Sequence, residues 1–172
     1  MHPPYRNKMA GLSFTPMPRG KHKLVSTTND SSPTFHLPPM EAPYGLSRTG
    51  FGGRDLRHGE RATLALKVDK ERVRAFFGAV EDKAKPFFEG DCVEWCPAIR
   101  GGNLLRVKVD VEELFADTEI RPGETVQAAV RIPHTWSING RAGLVVVAAE
   151  LKVLPPAPEP CPFTWLAKQK GF

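Results

Sequence analysis

Aromatic rings set among cations and glycines are the feature of this chain best suited to chemistry on a polyanion. The segment Ala42-Pro43-Tyr44-Gly45-Leu46-Ser47-Arg48-Thr49-Gly50-Phe51-Gly52-Gly53-Arg54-Asp55-Leu56-Arg57-His58-Gly59-Glu60-Arg61 places Tyr44 and Phe51 among Arg48, Arg54, Arg57 and Arg61. Rings in such a loop can stack on bases, at roughly 1 to 3 kcal/mol each whatever the base, while each arginine adds a salt-dependent contact to a phosphate. The simpler alternative is that the rings are buried beneath the loop. Trp136 lies three residues before an Asn139-Gly140 pair, with Arg131 and Arg141 nearby. It is either a stacking plate or a core anchor. Arg106 and Lys108 alternate with Leu105, Val107 and Val109, so a strand here turns two cations to one face. Trp95 stands beside Asp91 and Glu94, which argues against a role on nucleic acid.

No catalytic constellation accompanies these residues. There is no phosphate loop, and Gly50, Gly52 and Gly53 precede no amphipathic helix. Cys92 and Cys96 lack the second close pair of a convincing zinc site. His134 and Cys161 would have to complete it in space, and buried thiols are the simpler reading. The five histidines are scattered, no Gly-x-Ser-x-Gly elbow occurs, and the acid pairs Glu81-Asp82 and Glu112-Glu113 read as solvated charge. The expectation is a protein without catalytic residues, metal or cofactor.

The elements that must carry the candidate residues are mostly strands. Residues 60–69 alternate, with Ala62, Leu64, Leu66 and Val68 on one face. From Asp69, a candidate cap, Val73, Phe76, Phe77, Val80 and Ala84 fall at helical spacing, and Pro86 and Gly90 mark the end of that helix. Residues 91–100 form a further strand that Gly101-Gly102 turns into 103–110. Two strands then meet at Asn139-Gly140, the strongest short hairpin signal, and the second buries Val145, Val147, Ala149, Leu151 and Val153. Nearer the start, residues 23–28 and Thr34–Leu37 read as a hairpin around Asn29-Asp30-Ser31-Ser32-Pro33.

About six strands, one helix and regular turns, without β-α-β alternation, predict a mostly β chain. The pattern is that of an OB-like antiparallel barrel with one inserted helix and flexible N- and C-terminal tails. The expected divisions are a disordered basic arm over 1–22, the barrel over 23–154, and a Pro-rich extension over 155–172 containing Phe163, Trp165 and Leu166.

The 172 residues, 41% of them hydrophobic, suit one soluble domain, and no apolar run is long enough to cross a bilayer as a helix. Three cysteines without regular spacing fit a reducing, intracellular compartment. Residues 1–58 carry eight Lys/Arg against three acids, while the other 114 are balanced at sixteen each. The basic excess therefore lies in the N-terminal third, as suits a polyanion partner, although a basic tail can also serve only solubility. The acid-free start resembles a mitochondrial leader in composition, but Pro3, Pro4, Pro16 and Pro18 break the helix such a leader needs.

The order of features resembles one known family. Residues 40–47, Met-Glu-Ala-Pro-Tyr-Gly-Leu-Ser, precede an alternating strand and a helix bearing Phe76 and Phe77. Ile132-Pro133-His134-Thr135-Trp136 then comes before Gly140-Arg141-Ala142-Gly143-Leu144. Across residues 38–154 this is similar to the single-stranded DNA-binding proteins of large eukaryotic DNA viruses. The resemblance implies an OB-type core with tails that binds single-stranded DNA without a cofactor and protects it during replication. It carries over Tyr44, Gly45 and Trp136, and points to a nucleus or viral replication compartment. The terminal Lys168-Gln169-Lys170-Gly171-Phe172 departs from the acidic tip through which bacterial single-strand binders recruit partners.

The resulting expectation is a sequence-nonspecific binder of single-stranded DNA, or of RNA, acting in replication, recombination or repair. Tyr44, Phe51 and Trp136 supply stacking, and Arg48, Arg54, Arg57, Arg106, Lys108, Arg131 and Arg141 hold phosphates. The tails would link copies of the chain or replication proteins, and no membrane is involved. Two rivals stand beside it: an assembly protein whose tails thread into neighbouring subunits through Tyr5, Phe14, Phe163 and Trp165, and an enzyme whose site is assembled from distant residues.

Overall fold

The computed structural model describes residues 11–26, 32–47, 55–57, 59–91 and 93–156. Short strands dominate because apolar side chains recur at every second position between turn-forming residues. The clearest case is β5, Ala62–Lys67, where Ala62, Leu64 and Leu66 are buried and Thr63 and Lys67 face out. It pairs antiparallel with β8, Leu104–Val109, which buries Leu105, Val107 and Val109 and turns Arg106 and Lys108 outward. Both faces are as the alternation predicts.

Between them in sequence lies a long helix, α1, Glu71–Ala84, which buries Val73, Phe76, Phe77, Val80 and Ala84. Its N-cap is Lys70 with no side-chain bond, so Asp69 is not the cap. The amides of Val73 and Arg74 donate to the Lys70 carbonyl instead. A 3-10 turn, Lys85–Asp91, follows at the expected breakers. Phe77, Leu64, Leu66, Leu105 and Val107 form the fully buried centre of the core. Each such side chain contributes about 1.5 to 3 kcal/mol by leaving water.

The remaining strands curl the sheet. β9, Glu124–Arg131, pairs antiparallel with β12, Val147–Leu154, on one edge. On its other edge it takes β3, Thr34–His36, and β4, Met40–Ala42, end to end. β12 meets β8 in parallel at Val147 and Lys108, beside β7, Ile99–Arg100, which pairs with the other end of β8. The order is thus β3-β9-β12-β8-β5, and Leu46, just past β4, bridges back to Leu64 of β5. A second sheet joins β10, Thr135–Ile138, β11, Arg141–Leu144, and β6, Glu94–Cys96. The fold is mostly β and barrel-like, with one α-helix among the described residues. It is not wholly antiparallel, since β12 with β8 and β11 with β6 run parallel.

Other expectations are corrected. Residues 34–36 do not form a hairpin with the segment before them: β2, His22–Ser26, pairs with β1, Leu12–Pro16. The reason is burial, since Leu12, Phe14 and Leu24 all enter the core. The arm expected over 1–22 therefore yields residues 12–16 to a strand, and Phe14 is no free anchor. The Asn139-Gly140 hairpin is present, with positive φ at both residues, as a two-residue hairpin turn demands. Its strands β10 and β11 are, however, separate from β9 and β12. In β12 the buried residues are Val146, just before it, and Ala148, not Val145, Val147 and Ala149. A register shift between Ala148 and Glu150 then brings Leu151 and Val153 against the core, because one bulged residue inverts the alternation beyond it. No described helix is long and apolar enough to cross a membrane.

Candidate functional site

The outward face of β8 is the floor of the site. Register partners share a face, so the pairing of Arg100 with Leu104 adds Arg100 to the side that already bears Arg106 and Lys108. Along the next row, Val147 stands opposite both Lys108 and Arg131, and Thr63 and Thr34 flank them. Lys108 Nζ donates to Thr63 Oγ1 at 3.0 Å and Arg131 Nε to Thr34 Oγ1 at 3.0 Å. The two cations are thus two strand spacings apart, about 10 Å, on one surface.

Above this floor the second sheet supplies the aromatic wall. Trp136 pairs with Gly143, which pairs with Cys96. A Cβ on Gly143 would lie 2.8 Å from the indole Nε1 and 2.9 Å from the Cys96 carbonyl. Glycine is therefore required for the ring to lie where it does. Trp136 is half-buried and lines a groove of about 380 Å3 with Thr63, Cys96, Arg100, Arg106, Lys108 and Val145 among its walls. Among the described residues no carboxylate lines this groove. A second depression, of about 210 Å3, shares Thr63 and Arg106 with the first and is bounded by Tyr44, Gly45, Ser47, Ala65 and Leu104. One surface therefore runs from Tyr44 past Arg106 to Trp136.

Tyr44 is 69% exposed, so its ring is open to solvent at the edge of this surface. The turn beneath it is rigidly specified. Gly45 has φ +63°, and a Cβ there would meet the Ile120 carbonyl at 2.4 Å. The amides of Gly45 and Gly123 both donate to the Ala42 carbonyl, and that of Leu46 to Ile120.

The electrostatics are one-sided. Among the described residues Arg61, Arg100, Arg106 and Lys108 make no ion pair. Lys108 is exposed as a residue, yet burial of its ammonium, followed by repulsion from Arg106, Arg100 and Arg61, lowers its pKa from 10.5. Unneutralised cations on a concave surface attract an anionic ligand.

Other candidates fall elsewhere. Arg141 lies on the same face as Trp136 but pairs with Glu94 at 3.6 Å, with both side chains exposed, a weak tie that salt screens. Arg57 is exposed in the turn leading to β5, its amide bonded to Glu60, and lines neither depression. Arg48, Phe51 and Arg54 lie outside the described residues, as do Cys92 and Cys161. No group of metal ligands occurs among the described residues. Trp95 is a structural anchor: its indole donates to the buried Glu81 carboxylate, which also accepts from the Ala98 amide at 3.4 Å.

Arg100 and Thr63 escape a reading by motif. Their signals were the Gly101-Gly102 turn, which folds Arg100 back beside Leu104, and the alternation of β5, which puts Thr63 on the outer face. No protein-family model matches the chain, and no curated protein or solved structure is significantly similar to it.

Proposed function

We propose that the protein binds single-stranded nucleic acid, DNA in the first instance, without reading its sequence. The observation that carries this is the shared wall at Arg106: an exposed tyrosine on one side, a half-buried tryptophan on the other, and three cations in the groove between them, with no carboxylate among the described lining residues. Bases stack on Tyr44 and Trp136, and Arg100, Arg106 and Lys108 hold the phosphates. Arg131 continues the cationic row across β12. A flexible single strand can turn its bases toward the rings, which a stacked duplex cannot do without unstacking.

The barrel-like sheet is compatible with an OB-type reading of the fold. The protein then acts in replication, recombination or repair by covering exposed strands. Ultraviolet cross-linking of an iodouracil-substituted strand, followed by peptide mass spectrometry, tests the proposal. Adducts at Tyr44 or Trp136 are expected, and adducts confined to other residues overturn the assignment.

A further inference from the structure

The charge in the tryptophan groove exceeds what a chain of phosphodiesters offers at one point. Arg100, Arg106 and Lys108 line a single depression, Arg61 adds to the repulsion at Lys108, and no carboxylate stands among the described lining residues. An internal phosphodiester brings one negative charge and two free oxygens. A phosphomonoester brings close to two charges at neutral pH and three acceptor oxygens, which suit forked guanidinium donors and an ammonium. Thr63 Oγ1 already holds Lys108 Nζ in the groove, and the half-buried indole of Trp136 is available to the attached base.

We propose that this groove is a phosphomonoester site, with Arg100, Arg106 and Lys108 around the phosphate and Trp136 under its nucleoside. The inference rests on the single-strand reading and sharpens it: the protein favours strands whose end carries a phosphate. A free nucleoside monophosphate offers the same chemistry and is the other source of the ligand.

The test compares strands of one sequence with a 5′-phosphate, a 3′-phosphate or hydroxyl ends, by anisotropy of a label placed mid-strand. One phosphorylated end is expected to raise affinity about tenfold, the scale of charge-assisted hydrogen bonds. In the Arg100→Gln, Lys108→Gln double variant that ratio falls to near one, whatever happens to the background shared by all strands. Deoxynucleoside monophosphate and inorganic phosphate, tested by thermal shift, separate the sources. A shift with the nucleotide but no advantage for phosphorylated strands assigns the site to free nucleotides and supports the chemistry. Equal binding of all strands with no nucleotide shift overturns the inference and leaves the single-strand reading intact. Failure of every strand to bind defeats that reading, and the thermal shift alone then decides the phosphate site: a shift lost in the double variant supports it, and none overturns it.

Discussion

The indole of Trp136 occupies the space that a side chain at Gly143 would need, 2.8 Å from where a Cβ would stand. Neighbouring strands of a small sheet thereby fix an aromatic plate beside three cations. The Gly143→Ala variant must push the ring outward or spread β11 from β6, and crowding of this kind costs about 1 to 3 kcal/mol. The expected outcome is a folded protein of lower melting temperature, with altered tryptophan fluorescence and weakened strand binding. Unchanged fluorescence and affinity would show that the ring's position is immaterial.

Tyr44 and Gly45 allow the proposed ligand contact to be tested apart from folding. Tyr44→Ala removes an exposed ring, so stability should stay within about 0.5 kcal/mol, while affinity falls by about 1 to 3 kcal/mol, or roughly 5- to 150-fold. Gly45→Ala puts a methyl group into the Ile120 carbonyl at positive φ, so it should lower the melting temperature as well as the affinity. Chemical denaturation and anisotropy, run on both variants, check the contrast.

Arg106 borders both depressions, so its charge serves the whole surface. For single strands each lost phosphate contact lowers the slope of log K against log salt by about 0.7. Arg106→Gln should reduce the slope by about that amount, and the Arg106→Gln, Lys108→Gln pair by about twice it. Arg57→Gln, away from both depressions, should change it less. Salt titrations of the three variants give the comparison.

Glu81 provides a pH test of the core. Burial raises its pKa above 4.5, against the opposing bonds from Trp95 and the Ala98 amide. A carboxyl whose folded pKa exceeds its unfolded one binds protons more readily in the folded state. Its contribution is therefore most favourable at low pH and is lost as pH rises from about 4.5 through the raised value. The wild type should gain stability relative to Glu81→Gln as pH falls through that window. Parallel unfolding curves of the two proteins at several pH values would contradict this.

Much of this arrangement was legible where a local pattern is also the tertiary one. The alternation of β5 and β8, the apolar stripe of α1 and the Asn139-Gly140 turn each need only their own residues, and Arg106, Lys108 and Trp136 follow from them. What the pattern could not supply was pairing between distant segments and the bulge in β12. The four-residue alternation around Leu12 and Phe14 is cut short by Pro16, so its union with β2 is visible only once both bury against the core. The loop cations Arg48 and Arg54 lie outside the described residues, while the groove acquired Arg100 from a strand of two residues, too short to show a period.

The most direct test of the central claim is a fluorescence-anisotropy titration of a labelled strand of about 30 nucleotides, and of the matching duplex, at low and high salt. The expected result is binding that favours the single strand, weakens with salt and quenches tryptophan fluorescence in the wild type more than in Trp136→Phe. Absence of binding to the single strand at low salt would contradict the account.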